Sequence, residues 1–193
     1  MIYETSLVFL FSYFSGSIPF GLILAKFFLN KDIRKIGSKN IGATNVLRTG
    51  NKYVALLTLV MDILKGIAPV LVTKNYFPDL IYLSALAAFL GHIFPVWLSF
   101  KGGKGVATYL GIIFALSFKF AIIFCVCWIL IAFITKYSSL SSIVSTLLIF
   151  LISFFNKDFE INSFFFITFV IILYTHRQNI LRIKKGEEDK IKL

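Results

Sequence analysis

The sequence predicts an all-α integral membrane protein, and its composition, its charge distribution and its long apolar runs lead to that prediction. Hydrophobic residues make up 58% of the 193 residues, whereas a soluble domain contains about 45–50%. Charged residues make up only 15%, yet the net charge is +11. Long stretches carry no charge, so the charge is concentrated between apolar segments. We expect a single membrane domain over residues 1–193.

Seven apolar runs are candidates for membrane-spanning helices. A helix needs roughly 17–25 mostly apolar residues to cross the hydrocarbon core. The runs cover residues 5–28, 53–73, 80–99, 106–118, 120–135, 140–155 and 161–176. The first three have full length, but 106–118 and 140–155 are short enough to be half-helices or tilted segments. About seven spans are therefore expected, with five or six as the alternatives.

The distribution of lysine and arginine predicts the orientation of the chain. Cytoplasmic loops of membrane proteins carry an excess of these residues. With seven spans, one side of the membrane holds all but four of the 20 Lys and Arg residues, including the tail that contains Lys192. The exceptions are Lys65 within the second run and, on the opposite side, Lys74, Lys119 and Lys157. The amino terminus is therefore expected outside and the carboxyl terminus in the cytoplasm.

The segment over residues 36–48, called the first loop below, combines hydroxyl and amide side chains with glycines and cations, and it contains no carboxylate. Glycines let backbone N–H groups approach an anion, and Arg48 offers a planar fork suited to phosphate. Thr44 or Asn45 could cap the helix that follows and so place its positive end at the site. The pattern favours a shaped anion site, and the alternative is an ordinary basic loop against anionic lipid head groups.

The segment over residues 100–108, called the second loop, surrounds Lys104 with Gly102, Gly103 and Gly105 at the start of an apolar run. This arrangement predicts backbone N–H donors, a helix amino terminus and an ammonium group that face one phosphate. It is not a P-loop, because Gly105 follows the lysine where that motif has Ser or Thr. The alternative is a tight turn whose lysines extend to the membrane surface.

Residues 176–188 form a third polar cluster. His176 and Asn179 lie three positions apart and would share one face of a continuing helix at the cytoplasmic surface. The alternative for His176 is an ordinary residue of the membrane interface. Residues 138–142 place four serine hydroxyls at another cytoplasmic helix start, where helix capping and phosphate contact are alternative roles.

Two further features lie within the spans. Asp62 and Lys65 are three positions apart in the second run, which favours an ion pair because isolated charges are costly inside a membrane. Gly16, Ser17 and Gly21 in the first run let helices approach closely. A smooth groove for an acyl chain is the alternative role of these three small residues.

Carboxylates are scarce in this chain. The nine acidic residues do not cluster in a way that would hold Mg²⁺. We therefore expect no metal site. We also expect no cofactor and no nucleic-acid partner, with membrane lipids around the spans. A site rich in anion-binding groups and poor in bases suits a reaction whose donor is already activated.

The clusters together resemble the acyl-phosphate:glycerol-3-phosphate acyltransferase family of bacterial membranes. Four short motifs in chain order carry the resemblance, and Asp62 with Lys65 and Gly66 also fits it. The motifs are residues 15–21 (SGSIPFG), 37–48 (GSKNIGATNVLR), 100–108 (FKGGKGVAT) and 176–188 (HRQNILRIKKGEE).

The resemblance implies transfer of an acyl group from acyl phosphate to the 1-hydroxyl of glycerol 3-phosphate, which gives 1-acyl-glycerol 3-phosphate and phosphate in phospholipid biosynthesis. It also implies that no acyl-CoA and no metal take part. The protein would be a seven-span protein of the bacterial inner membrane with its active site open to the cytoplasm. A monomer is expected, with an oligomer as the alternative. The competing class is a transporter for a phosphorylated solute, which would also have many spans and cationic ligands.

With this resemblance, the polar residues are assigned to roles. The candidate catalytic residues are Ser38, Arg48, Lys104 and His176. The residues expected to hold acyl phosphate are Ser38, Asn40, Gly42, Thr44, Asn45, Gly102, Gly103 and Lys104. Those expected to hold glycerol 3-phosphate are Arg48, Lys104, Ser141, Ser142, His176 and Asn179. The groove residues are Gly16, Ser17 and Gly21. The general base is left open between His176 and a substrate phosphate, whose second pKa lies near 6.

Overall fold

The structure is a computed structural model that describes residues 2–156 and 158–191, and all regular elements in those residues are helical. The predicted all-α class is therefore confirmed. Lys157 and Lys192, which entered the charge distribution, lie outside the described residues. The chain divides into two compact units, Met1–Leu116 and Ser117–Leu193.

The first unit is built from six α-helices. They are α1 (Ile2–Ser17), α2 (Phe20–Leu29), α3 (Ala43–Leu47), α4 (Lys52–Tyr76), α5 (Ile81–Ile93) and α6 (Val106–Leu116). Short 3₁₀ turns lie at Ile33–Lys35, Pro78–Leu80 and Val96–Leu98. Helix α1 packs along α5, and α4 packs along α6. The first loop thus includes α3, and the second loop leads into α6.

The described residues of the second unit form four α-helices. They are α7 (Phe118–Thr135), α8 (Ser138–Ser153), α9 (Phe159–Thr175) and α10 (Arg177–Lys184). Helix α8 packs between its partners α7 and α9 and also contacts α10. The tail after α10 returns to the start of α8, where the N–H of Ile191 donates to the carbonyl of Lys136 at 2.8 Å.

All seven predicted apolar runs are mainly helical, but some are interrupted: the third run breaks after Ile93 and the fourth at Ser117. The first run is not one continuous helix either. Helix α1 ends at Ser17 and α2 begins at Phe20, with Pro19 between them. Proline has no N–H to donate and also disfavours helical geometry at the residue before it, Ile18. The break therefore follows from the position of Pro19 in the sequence.

The lengths of the apolar helices establish several membrane crossings. Four helical segments are long and apolar enough to span, namely Ile2–Leu29, Lys52–Tyr76, Pro78–Leu98 and Phe118–Thr135. Helices α9 and α10 would form a fifth span if taken together, although they are bent by 55°. Helices α6 and α8 are apolar but shorter. A multi-pass membrane protein is thus confirmed.

Large apolar side chains cover much of the outer surface. Phe27, Phe133 and Ile134 are 73–79% exposed. Monomeric soluble proteins rarely present large contiguous apolar patches to water. These side chains are suited to contact with lipid.

The small residues of the first run lie against other helices and loops. A Cβ atom at Gly16 would overlap the backbone of Ala88 in α5, and one at Gly21 would overlap the backbone of Ile41. Ser17 is also buried. The packing role is therefore confirmed, and the prediction of an acyl groove against Gly16 and Gly21 is wrong, because neighbouring backbone already fills that space.

Candidate functional site

The first loop is folded around the side chain of Asn45, which is 1% exposed. Its Nδ2 amide donates to the carbonyls of Ile33 at 2.8 Å, Ile36 at 3.0 Å and Asn40 at 2.7 Å. Its Oδ1 accepts the N–H of Ser38 at 3.0 Å. One amide thus joins both halves of the loop. The role of Asn45 is to hold the loop in shape.

Two corrections follow for helix capping in this loop. Thr44 and Asn45 lie inside α3, whose N-cap is Gly42. The next helix, α4, is capped by Asn51, whose side chain accepts the N–H of Val54 at 3.0 Å. The prediction that Thr44 or Asn45 caps the following helix is therefore wrong, because the loop closes into a short helix of its own.

Arg48 lies at the end of α3 and is exposed. Gly37, with φ at +51°, lies so close that a Cβ atom there would meet the side chains of Arg48 and Asn45. This contact places the guanidinium group of Arg48 next to Gly37, and so close to Ser38. Thr44 is exposed, whereas Asn40, Gly42 and Ser38 are partly exposed. The loop therefore presents two exposed cations, Lys39 and Arg48, among several polar groups.

The second loop folds back onto the end of α5. The N–H of Gly102 donates to the carbonyl of Ile93 at 3.0 Å, and the N–H of Gly103 donates to the carbonyl of His92 at 3.1 Å. Both N–H groups are therefore occupied by carbonyls that α5 leaves open at its end. The prediction that these two N–H groups bind an anion is wrong for this reason.

Lys104 and the start of α6 remain the candidate anion-binding elements of the second loop. Lys104 is partly exposed and lies two positions before Val106, where α6 begins. The first N–H groups of a helix have no partner within the helix and carry a partial positive charge. Gly105 has φ at +88° and lies against the ring of Phe89. An ammonium group and a helix amino terminus are thus adjacent here.

The predicted ion pair in α4 is confirmed. Lys65 Nζ lies 2.8 Å from Asp62 Oδ1, and both side chains are 3% exposed. Lys65 Nζ also donates to the carbonyl of Ile18 at 2.6 Å. This carbonyl is at the break between α1 and α2, so the ammonium group is committed to a structural contact.

In the second unit, the helix does not continue through His176. Helix α9 ends at Thr175 and α10 begins at Arg177, with a 55° bend between them. The prediction of one continuing helix over His176 and Asn179 is therefore wrong. His176 is buried, and its Nδ1 lies 2.8 Å from the carbonyl of Ile172. Because a carbonyl only accepts, Nδ1 carries the hydrogen, and the neutral ring has its lone pair on Nε2.

Asn179 belongs to a cluster centred on Glu188. The Oε1 atom of Glu188 accepts from Asn179 Nδ2 at 2.6 Å and from Ser139 Oγ at 2.8 Å. Its Oε2 atom accepts from Arg182 Nε at 2.7 Å. Burial raises the pKa of Glu188, but these hydrogen bonds and the Arg182 charge outweigh it, so the pKa lies below the ordinary value. The carboxylate is therefore ionised at neutral pH.

Glu188 was present in the sequence resemblance but received no role there. Its partner Ser139 is 49 positions away, so spacing along one helix gives no signal of the contact. The Oδ1 atom of Asn179 is buried and has no hydrogen-bond partner among the described residues. A buried amide oxygen without a partner is unusual, because buried polar atoms in folded proteins are normally hydrogen-bonded.

Ser141 and Ser142 are buried in the first turn of α8. Their hydroxyls donate back to the carbonyls of Tyr137 at 2.9 Å and Ser138 at 2.8 Å. Ser142 Oγ also lies 3.1 Å from Trp128 Nε1, which donates to it. The capping alternative is wrong, because the N-cap Tyr137 makes no side-chain cap and these serines bond one turn backwards.

Comparison with known proteins identifies the family. A family model described as glycerol-3-phosphate acyltransferase matches residues 6–186. The glycerol-3-phosphate acyltransferase of Pelagibacter ubique is 54% identical over 98% of this chain and 99% of its own length. The corresponding protein of Mesorhizobium japonicum is 48% identical over 99% of this chain and 98% of its own.

Two crystal structures share the fold. PlsY (YgiH), an integral membrane glycerol 3-phosphate acyltransferase, matches in its glycerol 3-phosphate form with a TM-score of 0.93 and 37% identity, over 98% of this chain and 96% of the other. Its lysophosphatidic acid form matches with a TM-score of 0.90 and 36% identity over the same shares.

The apolar helices and their connecting loops define a multi-pass membrane protein with polar and cationic groups at its helix ends. Its class is that of membrane-embedded acyltransferases of phospholipid synthesis. The chain belongs to the PlsY-type glycerol-3-phosphate acyltransferase family. The transporter alternative is not supported, since the matched family is one of enzymes.

Proposed function

We propose that the protein transfers an acyl group from acyl phosphate to the 1-hydroxyl of glycerol 3-phosphate. The products are 1-acyl-glycerol 3-phosphate and inorganic phosphate. The observation that carries the proposal is the match, at a TM-score of 0.93 and 0.90, to PlsY in its glycerol 3-phosphate and lysophosphatidic acid forms. These are the acceptor and the product of such a transfer. The four matching motifs support acyl phosphate as the donor.

The cations of the loops suit this pair of substrates. Acyl phosphate and glycerol 3-phosphate both carry negative phosphate groups, which repel each other. Arg48 at the end of α3 and Lys104 before α6 offset that repulsion and attract both substrates. They also stabilise the charge that develops on the departing phosphate.

The reaction needs no further activation of the donor, because acyl phosphate is a mixed anhydride with phosphate as leaving group. The 1-hydroxyl oxygen of glycerol 3-phosphate forms a bond to the acyl carbon, and the bond from that carbon to the phosphate oxygen breaks. The hydroxyl proton passes to a substrate phosphate or to Nε2 of His176. The lone pair on Nε2 follows from the hydrogen bond between Nδ1 and Ile172.

Each group of residues keeps its predicted substrate. The 38–45 segment, with Ser38, Asn40, Gly42 and Thr44, holds the acyl-phosphate head together with Lys104. Asn45 contributes by shaping this segment, and Gly102 and Gly103 contribute by carrying the backbone to Lys104. The residues for glycerol 3-phosphate are Arg48, Lys104, Ser141, Ser142, His176 and Asn179. The unpartnered Oδ1 of Asn179 supports a contact with a glycerol hydroxyl.

The proposed arrangement in the membrane is seven spans, with the amino terminus outside and the carboxyl terminus in the cytoplasm. Its support is the excess of Lys and Arg on one side of the predicted spans. The active site then faces the cytoplasm of a bacterial cell, and the acyl chain and product lie in the inner membrane. One chain is proposed to be sufficient for activity.

The test is a donor comparison with purified protein in detergent. Acyl phosphate, acyl-CoA and acyl carrier protein are each supplied with labelled glycerol 3-phosphate, and lysophosphatidic acid is measured. Product is expected from acyl phosphate alone, and its absence there would refute the proposal. Arg48→Ala and Lys104→Ala are expected to lose more than about 100-fold in rate while the thermal unfolding midpoint stays unchanged.

A further inference from the structure

We propose that His92 and Thr108 are positioning residues, which hold Lys104 in place for the transfer reaction and bind no substrate themselves. The buried pair of Asp62 and Lys65 in α4 lies beside His92. The inference rests on the phosphate-binding function proposed for Lys104.

His92 lies directly beneath the second loop and is 4% exposed. Its carbonyl accepts the N–H of Gly103 at 3.1 Å. Its ring occupies the space that a Cβ atom at Gly103 would need. The loop is therefore held on His92 through both backbone and ring, at the residue immediately before Lys104.

The same ring contacts α6 on the other side of Lys104. His92 Nδ1 lies 3.1 Å from Oγ1 of Thr108, and Thr108 is fully buried. Thr108 follows Lys104 by four positions and lies in the first turn of α6, which begins at Val106. His92 thus contacts the chain both at Gly103, before Lys104, and at Thr108, four positions after it. These two contacts fix the backbone from which the flexible lysine side chain extends.

The ion pair in α4 lies beside this contact. Asp62 Oδ1 is 2.8 Å from Lys65 Nζ and 3.9 Å from His92 Nδ1, which is too far for a hydrogen bond. Lys65 Nζ donates to the carbonyl of Ile18 between α1 and α2. Polar contacts therefore join the α1–α2 break to α4, and α5 to the start of α6, and the two sets lie next to each other inside the membrane domain. Buried charges of this kind are costly and mark functional or structural networks.

The kinetic consequence follows from the geometry of charge stabilisation. A misplacement of about 1 Å at a catalytic group can cost about 100-fold in rate. Loss of the contact between His92 and Thr108 frees one turn of α6 next to Lys104. We expect the ammonium group to move relative to the phosphate it binds, while the helices stay folded.

The decisive variant is Thr108→Val, which keeps the shape of the side chain and removes its hydroxyl. Thr108→Ser keeps the hydroxyl and serves as the conservative rescue. Thr58→Val is the matched control, because Thr58 is equally buried but donates to Val54 of its own helix at 2.8 Å. Lys104→Arg, which replaces the ammonium group, shows whether that group acts on kcat or on the KM of one of the substrates. Initial rates are measured with each substrate varied in turn, together with the thermal unfolding midpoint.

Thr108→Val is expected to lower kcat/KM by about 10–100-fold. The loss should fall on the same parameter, KM or kcat for the same substrate, that Lys104→Arg changes. Thr108→Ser and Thr58→Val should stay within about threefold of the wild type, and the unfolding midpoints should agree. A merely structural role would lower the midpoint without reproducing the Lys104→Arg pattern, and that result overturns the inference.

Two further outcomes separate this inference from the proposed function. If Lys104→Arg has impaired kinetics while Thr108→Val has wild-type kinetics, the positioning role is overturned and the function proposed for Lys104 stands. Wild-type kinetics in Lys104→Ala would overturn both the positioning role and the function proposed for Lys104. If Thr108→Val does not fold, His92→Phe decides the question, because phenylalanine keeps a ring beneath Gly103 but has no nitrogen to meet Thr108. Wild-type kinetics in His92→Phe would then reject the positioning role.

Discussion

The carboxylate of Glu188 accepts a hydrogen bond from Nδ2 of Asn179 at 2.6 Å. The same oxygen accepts from Ser139, and the second oxygen accepts from Arg182. The bond orients the Asn179 amide, so that its nitrogen points to Glu188 and its buried Oδ1 points elsewhere. Glu188, in the tail after α10, thereby determines that Asn179 presents its amide oxygen, and not its amide nitrogen, to the candidate site.

Glu188→Gln tests this orientation. Glutamine retains one acceptor oxygen, but its amide nitrogen would face the N–H of Arg182 or of Asn179, and two donors cannot bond each other. We expect a loss of activity together with a fall of about 3–8 °C in the unfolding midpoint. Glu187→Gln, at an exposed neighbouring position, should match the wild type in both measurements. Equal behaviour of the two variants contradicts the orienting role.

The pH dependence of stability follows from the same cluster. The pKa of Glu188 in the folded protein lies below its ordinary value, because hydrogen bonds and the Arg182 charge outweigh the effect of burial. Its contribution is therefore complete above the unfolded pKa of about 4.3 and is lost as the pH falls through the folded pKa. Unfolding midpoints of the wild type should drop more steeply below about pH 4.3 than those of Glu188→Gln. If the unfolding midpoints of the wild type and Glu188→Gln depended on pH in the same way, the Glu188 carboxylate would make no contribution to stability.

Asn45→Asp should disrupt the first loop while it preserves side-chain size. The amide nitrogen that donates to the carbonyls of Ile33, Ile36 and Asn40 becomes an oxygen that repels them. We expect activity to fall more than about tenfold, because a misplaced site loses rate steeply, with helix content by circular dichroism retained.

Asn51→Ala is the control for Asn45→Asp. It removes the cap of α4, at a cost of about 1 kcal/mol, without touching the contacts of Asn45. Activity close to that of the wild type is expected. Asn45→Asp with equally high activity would mean that the loop does not depend on this amide.

Lys65→Met should be strongly destabilising. It leaves the carboxylate of Asp62 buried without its partner at 2.8 Å, and breaking a buried pair in this way costs about 3–5 kcal/mol. The double variant Asp62→Leu with Lys65→Met removes both charges and should recover most of the unfolding midpoint. Lys74→Met, at an exposed position of α4, is the control. A double variant no more stable than Lys65→Met would rule out charge pairing as the cause.

The helices and the Asp62–Lys65 pair could be predicted because each depends on local sequence. Apolar runs predict helices through their composition, and a spacing of three places Asp62 and Lys65 on one helix face. The break at Pro19 also has a local cause. The bend at His176 had no such signal, because neither proline nor glycine marks it.

Contacts across the chain could not be predicted from residue type. Gly102 and Gly103 have the composition of an anion-binding loop, but their N–H groups are used by the end of α5. Asn45 and Glu188 are polar residues whose partners are chosen by the folded loop and tail. In each case the sequence identified the polar segment, and the fold determined which atoms within it remain available to a substrate.

His176→Gln distinguishes the two candidate bases. Because Nδ1 of His176 donates to Ile172 at 2.8 Å, the neutral ring presents Nε2 as an acceptor, which allows either a base or a ligand. General-base catalysis contributes about 10²–10⁴-fold in rate, whereas a neutral ligand contributes to binding. We expect kcat to fall less than about tenfold and KM for glycerol 3-phosphate to rise, because the substrate phosphate takes the proton. Initial rates between pH 6 and 9 check this expectation, and a loss of kcat of about 100-fold or more with unchanged KM would identify His176 as the base.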